Sequence, residues 1–327
     1  MANEAISNSK RVILGTRGSA LALTQEKMTR ELLEGLGFTV EKKIIATTGD
    51  KRQDLKLSAP DLDKAVFTKE LEEALEAGEI DAAVHSLKDV PTILEDQFAL
   101  VAVLPRAPIE DVIVGKPGQQ LLGGIDDLAK GATVATSSVR RACQLRHLRP
   151  DLNVIDIRGN VPTRLRKVAT LPEIDATVLA RAGLMRLGYD LSGATLRFED
   201  HDLPIHIVDP KTMIPAAGQG AIAIEIRAAD AETAAVFGQI NHEPTWLRIR
   251  AERAFLHALG AGCQTPVGVH TEFQDGNRLR MRAIVFQDDQ PEPQTAEIEG
   301  DAADAEGLAA SLMAELGSAP ERTERER

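Results

Sequence analysis

The chain has 327 residues, of which 43% are hydrophobic and 27% charged, so it can form two or three domains with buried cores and is not a disordered or low-complexity protein. Its net charge of −12 and its scarcity of aromatic residues disfavour nucleic acid as a partner. There is no apolar run long enough to span a membrane, no apolar signal core at the N-terminus, and the two cysteines cannot form a disulfide framework. These features predict a cytoplasmic protein without a membrane or nucleic-acid partner.

Short apolar runs alternate with helical patterns in the first half of the chain. Ser19 stands where a helix N-cap is expected, and Gly35 and Gly78 stand at the ends of predicted helices. In chain order the patterns predict a strand at 12–14, a helix from 19 to about 35, a strand at 38–46, a helix at 68–77 and a strand at 80–84. Alternating strands and helices predict largely parallel, doubly wound α/β sheets, which bind ligands beyond the carboxyl ends of their strands. Three loops fall at such ends: residues 16–19, 85–91 and 136–138.

A second set of strand–helix units begins near Asp111, and the pattern changes again at His242. The second set is predicted to contain strands at 132–135, 154–157 and 176–179, each followed by a helix. The region after His242 combines helices, a glycine-rich loop and two strands. We therefore predict two α/β domains followed by a small C-terminal α+β domain.

Basic residues are concentrated between Ser137 and Lys167, where eight Lys or Arg stand against two acids. Arg140 and Arg141 fall in the first turn of a predicted helix, where the helix dipole disfavours cations. Arg158 precedes the next predicted helix in the same way. A bound anion would explain both placements, whereas a solvated basic face is the alternative. The repeated arrangement favours a site for a small polyanion, and the preponderance of Arg over Lys favours carboxylates.

The two cysteines have different sequence settings. Cys143 lies in a predicted helix beside an apolar stripe of Val139, Ala142 and Leu145, which indicates a small core residue. Cys263 lies in the glycine-rich segment GAGCQTP, after the end of a predicted helix. A thiol on such a loop is a candidate nucleophile or attachment point, although loops also carry unreactive cysteines.

Asp89 follows a predicted strand and stands between Lys88 and Val90. A carboxylate in this position is either an ion-pair partner or a catalytic acid or base. His85 on its own indicates a hydrogen-bonded structural residue. The spacing of His, Cys, Asp and Glu does not predict a metal site.

Several motifs occur together in an order that points to one family. They are TRGSALAL at 16–23, FTKELE at 67–72, HSLKDVP at 85–91, TSSVRR at 136–141, RGNVPTRL at 158–165, AGLMRLG at 182–188, PAAGQGA at 215–221, AERAFL at 251–256 and GCQTPVG at 262–268. Over residues 11–315 the sequence resembles the porphobilinogen deaminases, also called hydroxymethylbilane synthases.

The resemblance implies a monomeric transferase of tetrapyrrole biosynthesis. Such an enzyme deaminates porphobilinogen and joins four units head to tail on a covalent dipyrromethane cofactor, then releases hydroxymethylbilane by hydrolysis. It also implies that Cys263 carries the cofactor through a thioether and that Asp89 is the catalytic carboxylate. The implied fold has two periplasmic-binding-protein-like domains and a third domain with the cysteine loop. The implied boundaries are 1–107 with 217–241, 108–216 and 242–327.

Each pyrrole of the growing chain carries two carboxylates. These carboxylates are the anions that the resemblance implies for the concentrated basic residues. The resemblance implies that cofactor and substrate are held by Arg17, Ser19, Lys64, Ser86, Lys88, Thr136, Ser138, Arg140, Arg141, Arg158, Arg164, Arg186 and Gln219.

The segment SAPDLDKA at residues 58–65 departs from the family pattern, which usually has a Gly-Gly-Lys-Gly stretch there. Only Lys64 keeps a basic side chain, and Asp61 and Asp63 add negative charge. Two other functions are compatible with parts of the sequence: a non-catalytic polycarboxylate-binding protein and an anion-dependent nucleic-acid-binding module. The presence of both Asp89 and Cys263 argues against the first, and the net charge argues against the second.

Overall fold

The computed structural model describes residues 11–47, 65–261, 265–287, 290 and 292–318. Within these ranges the chain forms three β-sheets with flanking helices. In chain order the elements are β1 (Arg11–Arg17), α1 (Ala20–Gly35), β2 (Thr39–Ile45), α2 (Ala65–Glu76), β3 (Ala82–Ser86), β4 (Phe98–Val103), β5 (Asp111–Gly115), β6 (Thr133–Ala135), α3 (Val139–Leu148), β7 (Asn153–Ile155), α4 (Val161–Thr170), β8 (Ala176–Ala180), α5 (Arg181–Arg186), β9 (Thr195–Phe198), β10 (His201–Ile207), β11 (Ile222–Arg227), α6 (Ala231–Gly238), α7 (Glu243–Ala258), β12 (Val267–Phe273), β13 (Arg278–Val285), β14 (Gln294–Asp301) and α8 (Ala305–Ser318).

The first sheet has the strand order β2-β1-β3-β11-β4. Strand β1 pairs in parallel with β2 and β3, whereas β11 runs antiparallel to both of its neighbours. One part of its core contains Leu14 of β1, Leu33 of α1 and Phe237 of α6, all fully buried. Parallel strands connected by helices bring the carboxyl ends of β1 and β3 to one edge of the sheet.

The second sheet has the strand order β7-β6-β8-β5-β10-β9. Strands β7, β6 and β8 are parallel, and β5 and β9 run antiparallel to their neighbours. Buried clusters cover the sheet in three separate groups, around Val134 and Leu145, around Leu165 and Leu203, and around Ala135 and Val168. The predicted α/β class is therefore confirmed, with one or two antiparallel strands in each of these two sheets.

Two crossing segments connect these sheets, and they are hydrogen-bonded to each other. The backbone N–H of Ala107 donates to the carbonyl oxygen of Gly220 at 3.1 Å. Gly220 has a φ of +85°, and a Cβ atom there would lie 2.4 Å from the carbonyl oxygen of Ala107. Both the left-handed backbone and the close approach therefore require glycine at this position.

The third sheet is the antiparallel arrangement β12-β13-β14, packed against α7 and α8 around Phe255, Met281 and Leu312. The buried carboxylate of Glu252 on α7 connects this unit to the crossing segments. It accepts from both Arg106 Nη atoms at 2.6 and 2.9 Å and from the backbone N–H of Gly218 at 2.8 Å. A buried charge held by this many donors fixes the position of α7 relative to the crossing segments.

Local sequence signals explain where several helices begin. The Ser19 side chain caps α1 by accepting from the backbone N–H of Ala22 at 3.3 Å, as predicted. Ser138 caps α3 and Asn160 caps α4 by accepting from backbone N–H groups in the first turns of those helices. Within the described ranges, no helix combines the length and apolar character required to cross a membrane.

The prediction of an apolar stripe on α3 was wrong. Leu145 is buried, but Val139 and Ala142 are only half-buried, and the other buried residues of the helix are Arg140, Arg141 and Gln144. The polar residues are buried because they have hydrogen-bond partners inside the protein. Cys143 is half-buried on this helix.

Candidate functional site

The carboxyl edge of the first sheet carries one group of the predicted site residues. Arg17 ends β1, Ser19 caps α1, and Ser86 ends β3 immediately before a 3₁₀ turn at Leu87–Asp89. A small cavity at this edge is lined by Arg17, Ser19, Gln25, Thr68, His85, Ser86 and Asp89, together with apolar neighbours. The structure therefore brings Asp89 into the same cavity as a cation and three hydroxyl groups from separate segments of the chain.

Gln25 is a cavity residue that the sequence analysis did not identify. It is buried in α1, and its side-chain Nε2 lies 2.7 Å from Ser86 Oγ. Gln25 follows the cavity residue Leu21 by one helical turn, so its position on that helix face was the available signal. Its amide fixes the hydroxyl of Ser86 next to Asp89.

The start of α3 carries a second group of predicted residues, and here an internal carboxylate accounts for much of their geometry. Asp111, the first residue of β5, is fully buried. Its Oδ2 accepts from Arg140 Nη2 at 2.8 Å, and its Oδ1 accepts from Arg141 Nη2 at 2.7 Å. Burial alone would raise the pKa of Asp111, but Arg140 and Arg141 together hold it well below its usual range.

The same two arginines also hold the backbone of the second sheet and of the crossing segment. Arg140 Nη1 donates to the carbonyl oxygen of Ile214 at 2.7 Å, and Arg141 Nη1 donates to that of Val178 at 2.8 Å. In each guanidinium group the Nε atom is buried without a hydrogen-bond partner among the described residues. Each side chain therefore keeps at least one N–H donor that no described group accepts.

Arg158 and Arg164, which flank the start of α4, have fewer partners. Arg158 Nε donates to Asp156 at 3.1 Å, while its Nη2 is buried without a partner in the part of the chain that the structure describes. Arg164 Nε donates to the carbonyl oxygen of Gly159 at 2.8 Å. Burial, followed by the charge of Arg141, lowers the pKa of Arg164 to about 10. Asp89 opposes this shift, which places Arg164 within electrostatic range of the carboxylate on the first sheet.

Lys88 completes the connection between the two edges. Burial lowers the pKa of Lys88 to about 8, with Asp89 opposing the shift and Arg141 contributing to it. The pKa of Lys88 is therefore affected by Asp89 beside the first sheet and by Arg141 beside the second. We call the cationic groups Lys88, Arg140, Arg141, Arg158 and Arg164, with the carboxylate of Asp89, the central cluster.

Gln219 and Arg186 lie beside this cluster at the crossing segments. Gln219 Nε2 donates to Asp111 Oδ1 at 2.9 Å and to the carbonyl oxygen of Ile109 at 2.6 Å. Arg186 Nη2 donates to the carbonyl oxygen of Gly220 at 2.7 Å, and burial lowers the pKa of Arg186 to about 10. No described residue accepts from its Nε, which is also buried. Lys64, Cys263 and the altered segment 58–64 lie outside the described residues.

Buried donors without partners are costly unless a ligand or water satisfies them. Within the described residues, four site arginines have such a donor: Arg140, Arg141, Arg158 and Arg186. Thr136 is buried after β6, and the hydroxyl of Ser138 caps α3 nearby. This set of donors fits a dipyrromethane, because that group carries several carboxylates. The fold and the site together define an α/β protein that binds a small polycarboxylate between two sheets.

Comparisons with known proteins agree with this class. The family "Porphobilinogen deaminase, dipyromethane cofactor binding domain" matches residues 12–235, and "Porphobilinogen deaminase, C-terminal domain" matches residues 246–317. Porphobilinogen deaminases of a Roseiflexus species and of Thermus thermophilus are 43% and 42% identical, and each match covers 93% of this chain and 95% of the relative. The chain belongs to the porphobilinogen deaminase family.

A structural likeness to a methionine-binding protein, MetQ, is much weaker. It has a TM-score of 0.40 and 14% identity, and it covers 70% of this chain and 89% of that protein. A similarity this low does not indicate anything about the site.

Proposed function

We propose that this chain catalyses the hydroxymethylbilane synthase reaction on porphobilinogen. It condenses four porphobilinogen units with release of ammonia, on a covalent dipyrromethane, and then releases hydroxymethylbilane by hydrolysis. Family membership over most of the chain supports this reaction. The observation that carries the assignment to residues is the position of Asp89, which lines the cavity at the edge of the first sheet and lies within electrostatic range of both Lys88 and Arg164.

The cofactor is held by the hydroxyl groups of Thr136 and Ser138 and by the unpaired donors of the site arginines. When bound, the dipyrromethane supplies the nucleophilic pyrrole carbon on which the chain is built. Attachment through Cys263 anchors it to the segment that follows α7. Arg140 and Arg141 are already fixed by Asp111, so their remaining donors are oriented before a ligand arrives.

Asp89 stabilises the positive charge that develops on the substrate's pyrrole nitrogen as the carbon–nitrogen bond to ammonia breaks. The same carboxylate can hold and return a proton at that nitrogen. The acetate and propionate groups of the substrate are bound by Arg17, Ser19, Ser86, Lys88 and Lys64. The crossing segments beside the substrate are supported by Gln219 and Arg186.

The domain boundaries follow from the same proposal: residues 1–107 with 217–241, 108–216 and 242–327. Separate buried clusters in the three sheets support this division. We further propose that the protein acts as a cytoplasmic monomer without a nucleic-acid partner, which its net charge of −12 supports.

The mass of the intact purified protein tests the cofactor assignment. We expect an adduct of two pyrrole units, located on Cys263 by peptide mapping, and a Cys143→Ala variant should keep it. An adduct on Cys143, or an active enzyme without an adduct, would contradict the assignment.

Turnover of Asp89→Asn tests the catalytic role. We expect ammonia release to fall by about 10²- to 10³-fold, because the group that stabilises the developing charge is lost while the arginine contacts remain. The adduct mass and the melting temperature should change little. The exposed acid Asp96 provides the matched control, and Asp96→Asn should retain full turnover. Near-normal turnover in a folded Asp89→Asn protein would rule out the role, and binding of porphobilinogen without ammonia release in the unmodified protein would favour a non-catalytic binding protein.

A further inference from the structure

A groove of about 580 Å³ lies where residues 92–100 meet helices α7 and α8. Its lining includes the apolar side chains of Leu94, Leu100, Trp246 and Ile249. Among the described residues, none lines both the groove and the cavity around Asp89. Its volume is within the range of pockets that bind small molecules, and its apolar wall suits an aromatic ring.

Basic groups on α7 accompany this apolar wall. Arg250, Arg253 and His257 line the groove, and Glu306 is the acid among its described lining residues. Arg250 and Glu306 are 3.8 Å apart and both well exposed, so this pair leaves Arg250 largely available. The positive charge of the lining contrasts with the acidic chain as a whole and complements a small anion.

Arg253 is the more informative of the two arginines. It is half-buried, and its Nη2 donates to the carbonyl oxygens of Pro91 and Thr92 at 2.9 and 2.8 Å. Among the residues that the structure describes, no carboxylate forms an ion pair with it within 4.0 Å. Glu225 acts on Arg253 only from a longer distance, and the hydrogen bonds of the guanidinium group go to neutral carbonyls. An added carboxylate would therefore give Arg253 a charged partner in direct contact.

These contacts connect the groove to the segments that carry the proposed chemistry. Pro91 and Thr92 follow Asp89 by two and three residues, and Thr92 Oγ1 lies 3.5 Å from the carbonyl oxygen of Ala261. Ala261 in turn precedes Cys263 by two residues. A ligand that draws Arg253 away from the two carbonyls would therefore change the restraint on the segment after Asp89.

We propose that this groove is a regulatory site for a small aromatic carboxylate. The ring packs against Trp246 and Leu94, the carboxylate is bound by Arg253 and Arg250, and occupancy changes the rate of the reaction at Asp89. The binding part of this proposal is independent of the proposed function, whereas the regulatory part depends on it.

Trp246 is the chain's one tryptophan, so it gives a single indole N–H signal in a protein labelled with ¹⁵N-tryptophan. The test titrates this signal in the holoenzyme with 2-naphthoate, and in parallel with the neutral analogue 2-naphthylmethanol. We expect a saturable shift with 2-naphthoate in the millimolar range, which is usual for a ligand of this size, and binding of the alcohol weaker by about fivefold or more. The absence of a saturable shift, or equal binding of acid and alcohol, would overturn the site.

Two variants locate the carboxylate. Arg250→Gln should weaken 2-naphthoate binding by about fivefold or more, because a charge-assisted hydrogen bond is lost. Arg278→Gln, which removes an exposed arginine from β13, changes the net charge equally and should leave the titration unchanged. Equal weakening by both variants would show that net charge alone draws the probe.

Initial rates of porphobilinogen consumption test the regulatory part. The central cluster also attracts carboxylates, so a rate change supports the proposal only if it saturates with the Trp246 signal and shifts with Arg250→Gln in the same way. A rate change that Arg250→Gln leaves unaltered comes from the active site and contradicts regulation through the groove. Binding without any rate change would also overturn regulation. A protein without turnover that still gives the Trp246 titration would refute the proposed function and leave the binding site standing.

Discussion

The two arginine pairs of the second sheet have similar sequence positions but different environments. Each pair lies at the start of a helix that follows a strand. Arg140 and Arg141 are about 95% buried and share the carboxylate of Asp111, whereas Arg158 and Arg164 are half-buried and rely on Asp156 and a backbone carbonyl. The first pair is therefore part of the fold as well as of the site. Basic residues at a helix start do not reveal from sequence whether their anion is a ligand or an internal side chain.

The largest expected effect is on stability and comes from the internal carboxylate. Asp111→Asn removes the negative charge between two buried guanidinium groups, which we expect to lower the free energy of unfolding by about 3–5 kcal/mol. Urea unfolding followed by circular dichroism measures this change. The control is Asp156→Asn, which breaks a more exposed pair with Arg158 and should lower it by less than about 1 kcal/mol. Equal losses in the two variants would show that the arginine pairs do not differ in the way their burial indicates.

Substitutions of Arg158 and of Arg141 should separate an effect on substrate binding from an effect on stability. Arg158→Gln should raise the KM for porphobilinogen by about tenfold, since a charged donor to a ligand carboxylate is lost, with less than about 1 kcal/mol change in stability. Arg141→Gln should instead lower the free energy of unfolding by about 3 kcal/mol or more, because Asp111 and the carbonyl oxygen of Val178 lose a partner. Steady-state kinetics and urea unfolding on the same preparations provide both measurements. A stable Arg141→Gln protein, or an Arg158→Gln protein with unchanged KM, would contradict this distinction.

The sequence predicted the parts of the fold that depend on local signals. Alternating apolar runs identified the α/β class, and Ser19 identified the start of α1 because its side chain caps its own helix. The sheet-edge rule also selected residues 16–19 and 85–91 as ligand-binding loops, because they follow the carboxyl ends of predicted strands. Arg17 and Asp89 do line one cavity.

The rest of the site depends on contacts between distant segments. Asp111 stands about thirty residues before Arg140, and the sequence of its strand, DVIVG, does not indicate that Asp111 pairs with Arg140. The same reason explains the error on α3, where apolar periodicity selected Val139 and Ala142 while tertiary hydrogen bonds bury Arg140 and Gln144. The roles of Cys263 and Lys64 remain predictions, because these residues lie outside the described ranges.

Lys88 allows a finer comparison, because its charge changes near neutral pH whereas the charges of the arginines do not. Burial lowers its pKa to about 8, so it is cationic at pH 7 and largely neutral at pH 9. If it binds substrate carboxylates, the KM for porphobilinogen should rise by about threefold as the pH increases from 7 to 9, and Lys88→Arg, which stays charged, should remove this rise. The same increase in pH that weakens substrate binding should stabilise the folded protein. The pKa of Lys88 is lower in the folded protein than in the unfolded chain, so the unfolded chain binds more protons between about pH 8 and pH 10, and the free energy of unfolding should increase across that window. A KM that is independent of pH in the unmodified enzyme, or a rise that persists in Lys88→Arg, would show that the arginines bind the substrate without Lys88.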